Sequence, residues 1–197
     1  GMDVNSLMQK LRRLAMLDTT VFDEVRTDAN FTPAAAITAA VATLLFGLGG
    51  WLWAVFEDYS DTGEIFLKSA IIGTIVSLVL WAVAIGVIYV LLTQVFRARA
   101  DMNELVRVLG LATLPLALGF LFFIPTIGYA ISLTSLALLF GLSVVAVQSA
   151  TDAPAGKVLA ATAAGFFVWA VILVLLSDSG DFITDKIVPN IFIFSFD

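Results

Sequence analysis

Cysteine and histidine are both absent from the 197 residues of this chain, and charged residues are scarce. Without cysteine the chain can form no disulfide and has no thiolate nucleophile. Without histidine it lacks the usual imidazole base and the commonest side-chain ligand for metals. The net charge of −6 argues against a nucleic-acid partner. We therefore expect no catalytic residue, no enzyme activity, no cofactor and no metal site.

Apolar residues are correspondingly abundant. They make up 60% of the chain and charged residues 13%, whereas soluble domains average about 45–50% and about 25%. The mean hydropathy is +1.03. Five apolar runs, over residues 34–56, 69–96, 105–124, 127–147 and 158–176, are long enough to cross a bilayer core of about 30 Å. The predicted fold class is all-α: a polytopic membrane helical bundle of five transmembrane helices with two short N-terminal amphipathic helices.

The positions of the five apolar runs divide the chain into three regions. Residues 1–32 are predicted to form a cytoplasmic segment, residues 33–176 the five-helix transmembrane domain, and residues 177–197 an extracytoplasmic tail. The N-terminal segment has no basic start followed at once by a short apolar core, so we expect no removable signal peptide. The tail sequence IVPNIFIFSFD is apolar but too short to cross. We expect it to lie on the outer surface, dock on the bundle or pair with another protomer.

Basic residues determine the predicted orientation. If the spans alternate, eight of the ten Lys and Arg residues fall on one side: Lys10, Arg12, Arg13, Arg26, Arg97, Arg99, Arg107 and Lys157. An excess of positive charge marks the cytoplasmic side. We therefore expect a plasma-membrane protein, bacterial or archaeal, with a cytoplasmic N-terminus and an extracytoplasmic C-terminus. No charged residue lies in the middle of a span, and Arg107, near a span end, is expected to snorkel towards the headgroups.

The first amphipathic helix is predicted in SLMQKLRRLAML, which begins at Ser6. Gln9 follows three residues later, which is the spacing of a capping box. Apolar and basic residues fall on opposite faces at about 100° per residue. This pattern is typical of a helix in the lipid interface, and also of a helix packed on the protein's own cytoplasmic face. Both interpretations remain open, and they are compatible.

The second helix is predicted within DTTVFDEVRTDANFTPAAAI, residues 18–37. Thr20 is the expected N-cap, Asn30 the expected stop, and Thr32-Pro33 the capped start of the first span. The expected apolar face consists of Val21, Phe22, Val25 and Ala29. The helix either seats the bundle at the cytoplasmic interface or docks a partner. Its candidate docking residues are Phe22, Asp23, Glu24 and Arg26.

Small residues and one proline are the candidate positions for helix packing: Ser69, Gly73, Ser77, Pro115, Gly141 and Gly165. Small side chains at four-residue spacing let helices approach closely, either within one chain or in a homodimer. Pro115 is expected to kink the third span because it lacks an N–H group. The sequence FIPTIG, residues 123–128, leaves room only for a tight hairpin or a partly re-entrant pair.

An acidic loop after the first span contains Glu57, Asp58, Asp61 and Glu64. Carboxylate oxygens suit calcium, but this spacing does not match an EF-hand loop. We favour a solvated loop over a cation site.

Two stretches carry a family resemblance. LDTTVFDEVRTDANFTPAA before the first span, and NELVRVLGLATLPLALG leading into the third, resemble bacterial five-span members of the Ypt-interacting-protein (YIP) domain family. The resemblance extends from about Leu17 to Leu176. It implies a five-span fold with the N-terminus inside, and no functional residue. For eukaryotic relatives the family implies vesicle traffic, binding of Rab-type GTPases and association with each other.

Two functions remain after these exclusions. The first is a non-enzymatic scaffold, or a membrane-organising, trafficking-like factor, that acts by self-association or partner docking. The alternative is a transporter or lipid-handling protein with a path between the spans, which Pro115 and the tight hairpin suggest. The lipid bilayer is the expected partner, with a homo-oligomer or other membrane proteins as further candidates. The sequence identifies no small-molecule ligand.

Overall fold

The computed structural model describes residues 3–58 and 60–176, which form an all-helical bundle without strands. In chain order the helices are α1 (Val4–Ala15), α2 (Val21–Thr27), α3 (Thr32–Phe56), α4 (Thr62–Val95), α5 (Met102–Phe123), α6 (Gly128–Ser149) and α7 (Ala155–Leu176). Helices α3 to α7 are long and apolar enough to cross a membrane, so the predicted fold class and the five spans are confirmed.

Two of the spans depart from a regular α-helix. Helix α4 contains π-helical turns at Leu67–Ile72 and Leu91–Val95. In α5 the α-helix ends at Ala112, and the span continues as a 3₁₀-helix over Leu114–Phe123. Pro115 lies at the start of this segment and cannot donate a backbone hydrogen bond. The interruption expected at Pro115 is therefore a change of helix type.

Glycines bring α3 and α5 into close contact. A Cβ atom on Gly49 would lie 2.0 Å from the carbonyl oxygen of Gly119, and one on Gly119 would lie 1.7 Å from the ring of Phe46. A Cβ on Gly110 would lie 2.7 Å from the Ala35 carbonyl oxygen. At Gly49 and Gly110 no larger residue fits without backbone movement, and at Gly119 none fits unless the Phe46 ring moves. The two helices therefore pack backbone against backbone along most of their length.

The remaining candidate packing residues have different surroundings. Ser69 is buried and its Oγ donates to the Gly47 carbonyl oxygen at 2.8 Å, which links α4 to α3. Gly73 and Ser77 are also buried in α4. Gly165 faces α4, where an added Cβ would lie 2.8 Å from Ile88. Gly141 is exposed and an added Cβ would meet no atom within 4 Å, so it joins no two helices within the described chain.

The connection between α5 and α6 is a tight hairpin of residues 124–127. The Gly128 N–H donates to the Ile124 carbonyl oxygen at 2.9 Å, and Thr126 adopts a φ of 74°. A Cβ on Gly128 would lie 1.9 Å from the Phe122 carbonyl oxygen, so only glycine fits at the start of α6. The sequence FIPTIG thus closes the hairpin as expected.

At the end of the bundle that holds this hairpin, the acidic loop has structural roles. Asp61 caps the start of α4 by accepting from the Glu64 N–H at 3.3 Å. Glu64 in turn pairs with Lys68 at 2.6 Å. Among the described residues, no group of acidic side chains is placed to hold a metal ion. The predictions for the tail of residues 177–197 lie outside the described residues.

The start of α1 and the end of α2 differ from the prediction, whereas α2 begins directly after Thr20 as expected, although the Thr20 side chain makes no capping hydrogen bond. Helix α1 begins two residues before Ser6, and Asp3 caps it by accepting from the Asn5 N–H at 3.1 Å. The Ser6 hydroxyl instead accepts from Lys10 Nζ at 2.6 Å, so Ser6 and Gln9 form no capping box. Helix α2 stops at Thr27, because the Asp28 carboxylate caps a following 3₁₀ turn, Ala29–Phe31.

Candidate functional site at the N-terminal end of the bundle

Three chain segments meet at the end of the bundle that carries the N-terminus. They are α2, the α4–α5 connection and the α6–α7 connection. Ala100 and Thr151 form an isolated antiparallel bridge between the two connections. The Arg99 N–H donates to Asp152 Oδ1 at 2.7 Å and reinforces the same contact. Segments far apart in sequence are therefore held in one fixed arrangement.

Arg107 joins this arrangement to the start of the first span. Its Nε donates to Thr32 Oγ1 at 2.9 Å and its Nη1 donates to the Arg26 carbonyl oxygen at 2.6 Å. Thr32 is the first residue of α3, and Phe31 occupies the N-cap position that was predicted for Thr32. Arg107, which can snorkel from its position near the span end, thus also binds two groups of the protein itself. It clamps α2 and α3 onto α5.

Arg26 extends the network along the surface. Its Nη1 lies 3.8 Å from Glu104 Oε2, and its Nε lies 4.0 Å from Asp23 Oδ1. The Nε atom is buried and has no hydrogen-bond partner among the described residues. The side chain as a whole is half-buried. Arg26 therefore lies at the edge of the protein with part of its hydrogen-bonding capacity unused.

A polar cleft of about 530 Å³ opens beside this network. Charged side chains of both signs line it: Arg26, Arg99, Asp101, Glu104 and Asp152. The Asp101 carboxylate caps α5 by accepting from the N–H groups of Asn103 and Glu104. The cleft is thus a surface of mixed charge built from α2, both connections and the first turn of α5.

A second ionic cluster fixes α1 to α2. Arg13 binds both carboxylate oxygens of Glu24, at 2.8 and 2.9 Å, and donates to Asp18 at 2.9 Å. The hydrogen bond from Arg13 lowers the pKa of Glu24 below its ordinary value. Hydrogen bonds from Thr20 and Arg13 lower the pKa of Asp18. The pKa of Arg13 is raised by its bonds to Glu24 and Asp18, so the cluster is fully ionised near neutral pH.

The four docking candidates do not share one surface. Phe22 is fully buried, as are Val21 and Val25, and all three belong to the main apolar core. Asp23 and Glu24 are exposed, and Arg26 is half-buried. Ala29, expected on the apolar face, is exposed because α2 ends before it. Phe22 therefore seats α2 on the bundle, and docking through the other three stays a prediction.

Two apolar spaces lie away from the cleft, one between the spans and one on the flank of the bundle. A cavity of about 50 Å³ sits between the spans, among Thr43, Ser77, Trp81, Thr113 and Ser143. Since a water molecule needs about 10–15 Å³, this cavity holds only a few waters. A larger groove, of about 660 Å³, runs between α1 and the outer faces of α5 and α6. Its lining is aliphatic and aromatic except for Arg12.

Several residues of this site were not singled out from the sequence. Arg13, Asp152 and the glycines Gly49, Gly110 and Gly119 have no local pattern that reveals their partners. The sequence LGLATLPLALG contains two of these glycines, Gly110 and Gly119, and their nine-residue separation crosses the change of helix type. Helical spacing rules therefore could not place them on one face.

Comparison with known proteins gives one match. The family model described as Yip1 domain matches residues 18–177. The match begins immediately before α2, so it includes the Phe22 seat and the Arg107 clamp together with the five spans. No curated protein and no solved structure matches the chain.

Proposed function

Since the chain belongs to the Yip1 domain family of membrane proteins, we propose that it acts as a non-enzymatic scaffold whose polar cleft binds a partner protein. The observation that carries this proposal is the construction of the cleft. Arg26, Arg99, Asp101, Glu104 and Asp152 come from α2, the two connections and the first turn of α5, which hydrogen bonds hold in place. A surface with a fixed pattern of charges favours specific partners over non-specific binding.

The location of the cleft also supports this role. It lies at the end of the bundle with most of the basic residues, which the positive-inside rule assigns to the cytoplasm. Cytoplasmic partners would reach it without crossing the membrane. The apolar face of α2 is occupied by the core, so the partner would be recognised through polar and ionic contacts.

Arg99→Glu tests the cleft, because the Arg99 side chain is exposed and only its backbone binds Asp152. Arg97→Glu is the matched control: Arg97 is also exposed, lies two residues away and does not line the cleft. Each protein would be purified in nanodiscs from the native host, and its co-purifying proteins quantified by mass spectrometry. Wild type and Arg97→Glu should co-purify with the same partner, and Arg99→Glu should lose it. A second copy of this chain counts as such a partner. Identical partners with all three proteins would contradict the proposal.

The second candidate is a lipid-handling role, which the groove beneath α1 favours. The interior cavity of about 50 Å³ is too small for a solute path unless the spans separate. A lipid path would instead follow the groove of about 660 Å³ on the flank of the bundle. Vesicles reconstituted with the protein would move lipids between leaflets faster than vesicles that contain a control protein with shuffled span sequences. An equal rate would count against this role.

A further inference from the structure

We propose that the groove between α1 and the flank of α5 and α6 is a binding site for one anionic phospholipid. One acyl chain would lie in the groove and the headgroup phosphate would bind Arg12. The groove volume of about 660 Å³ falls within the range of ligand sites, about 300–1,000 Å³. This site is separate from the polar cleft and does not depend on the scaffold role.

The chemistry of the walls fits a hydrocarbon chain. Leu11 and Leu14 of α1 face Leu118 and Leu121 of α5 across the groove, and Leu142 of α6 closes one side. The Pro115 carbonyl oxygen at the groove accepts from Ser135 Oγ at 2.7 Å, so its hydrogen-bonding capacity is used internally. A chain without polar atoms therefore loses nothing by entering the groove.

The groove follows the spans that line it over most of their length. On α6 it includes Leu138 and Leu142, about 16 Å and about 10 Å along the helix axis from Ser149, the end of α6 on the N-terminal side, at a rise of about 1.5 Å per residue. On α5 it reaches Leu121, close to the hairpin end of that helix at Phe123. A bilayer core is about 30 Å thick and one acyl chain covers half of it, so a groove of this length can hold a whole acyl chain.

The charge at the mouth selects an anionic headgroup. Of the three basic residues on α1, Arg13 is bound to Glu24 and Asp18, and Lys10 is bound to Ser6 and lies over the Phe31 ring. Arg12 is exposed, lines the groove and has no ion pair among the described residues. Arginine binds phosphate oxygens through charge-assisted, often bidentate hydrogen bonds.

A bound lipid would also complete the packing of α1. Only Leu14 of α1 is fully buried, while Met8 and Leu17 remain exposed and border the groove. An acyl chain between α1 and α5 would cover these apolar side chains. The site therefore predicts that anionic lipid orders α1 on the bundle.

Native mass spectrometry of the full-length protein tests the site, with phosphatidylglycerol or phosphatidylcholine added to the detergent. We expect wild type to retain one phosphatidylglycerol in preference to phosphatidylcholine. Leu118→Trp fills the groove and should abolish retention of that lipid. Leu133→Trp is the matched control, because Leu133 and Leu118 are each 41% exposed and Leu133 does not line the groove. Met8→Trp blocks the groove from α1 and replaces Leu118→Trp if the latter does not fold.

Arg12→Gln tests the contribution of the lipid headgroup separately from that of the acyl chain. It should weaken phosphatidylglycerol binding about fivefold, the effect of about 1 kcal/mol per basic residue, and weaken phosphatidylcholine binding less, because the choline cation offsets the phosphate charge. Arg97→Gln, which removes an exposed arginine outside the groove, should change neither. Equal retention of both lipids by wild type and every variant would mean bulk annular lipid only and would overturn the site. Because Arg99→Glu tests the cleft alone, failure of one proposal is distinguishable from failure of the other.

Discussion

Three arginines near the N-terminal end differ in what they bind, and their roles differ accordingly. Arg13 binds two carboxylates, Arg107 binds a backbone carbonyl and a hydroxyl, and Arg12 has no ion pair among the described residues. The first two join chain segments, whereas the third is available to a ligand. Arg12 and Arg13 are adjacent residues of the same type, so neither residue type nor position along the helix distinguishes their roles. The groups that each arginine contacts distinguish them.

Phe22 is the residue whose replacement separates seating from docking. Phe22→Ala should lower the free energy of unfolding by about 3–5 kcal/mol, because the ring is completely buried and leaves a cavity. Phe22→Asp should prevent folding, because it places an unpaired charge in the core. Denaturant titration in micelles measures both. Asp23→Ala, an exposed change on the same turn, should cost less than about 1 kcal/mol. A stable Phe22→Ala protein that had lost a partner would instead support docking.

The contact between α1 and α2 should weaken in acid. Asp18 and Glu24 have pKa values lowered from 3.8 and 4.5, so their stabilising effect is complete above those values. It is lost as the pH falls through the lower pKa values of the folded protein, because protonation neutralises both carboxylates. The hydrogen-exchange protection of α1, taken relative to the intrinsic exchange rate at each pH, should therefore fall below about pH 4. In Arg13→Gln this protection should already be low at neutral pH and change little on acidification. An identical acid response in both proteins would refute the role of this cluster.

At the scale of helices, the tightest contact lies between α3 and α5. Gly49→Ala places a methyl group 2.0 Å from the Gly119 carbonyl oxygen, a backbone atom that cannot rotate away. We expect a loss of stability of at least about 1–3 kcal/mol, the usual effect of overpacking. Thermal unfolding in detergent checks it.

Two other helical glycines provide controls for this substitution. A Cβ on Gly86 or Gly141 would meet no atom within 4 Å. Gly86→Ala and Gly141→Ala should therefore leave stability unchanged or raise it by up to about 1 kcal/mol, because alanine restricts the unfolded chain. If Gly49→Ala were as stable as these two, the close contact between α3 and α5 would be wrong.

The helices were predictable from the sequence to the extent that their signals are local. Apolar runs of sufficient length located all five spans, and the proline marked the interruption in α5. The cap at Asp3 and the 3₁₀ form of Leu114–Phe123 were missed. The close contact of this segment with α3 joins residues that lie far apart in sequence, such as Gly49 and Gly119. The partners of Arg107 and Asp152 were missed for the same reason, since those contacts join distant segments.

At the scale of the whole molecule, polar interactions are concentrated at the ends of the bundle. The arginine contacts with α2, the Arg99–Asp152 link and the cleft all lie at the N-terminal end, while the Glu64–Lys68 pair lies at the other. The described interior contains hydroxyl groups and a small cavity, without a charged residue.

The absence of cysteine provides a direct test of orientation, because a single introduced thiol is the only one in the chain. Thr27 and Ala155 are exposed at the N-terminal end, and Asp58 is exposed in the loop at the opposite end. Each would be changed to cysteine and labelled in intact cells with a membrane-impermeant maleimide. With the basic end in the cytoplasm, Asp58→Cys should react at once, and Thr27→Cys and Ala155→Cys only after the membrane is permeabilised. Labelling of Thr27→Cys and Ala155→Cys in intact cells, with Asp58→Cys protected, would reverse the orientation. The cleft would then face outward, and its partner would have to be sought on the other side of the membrane.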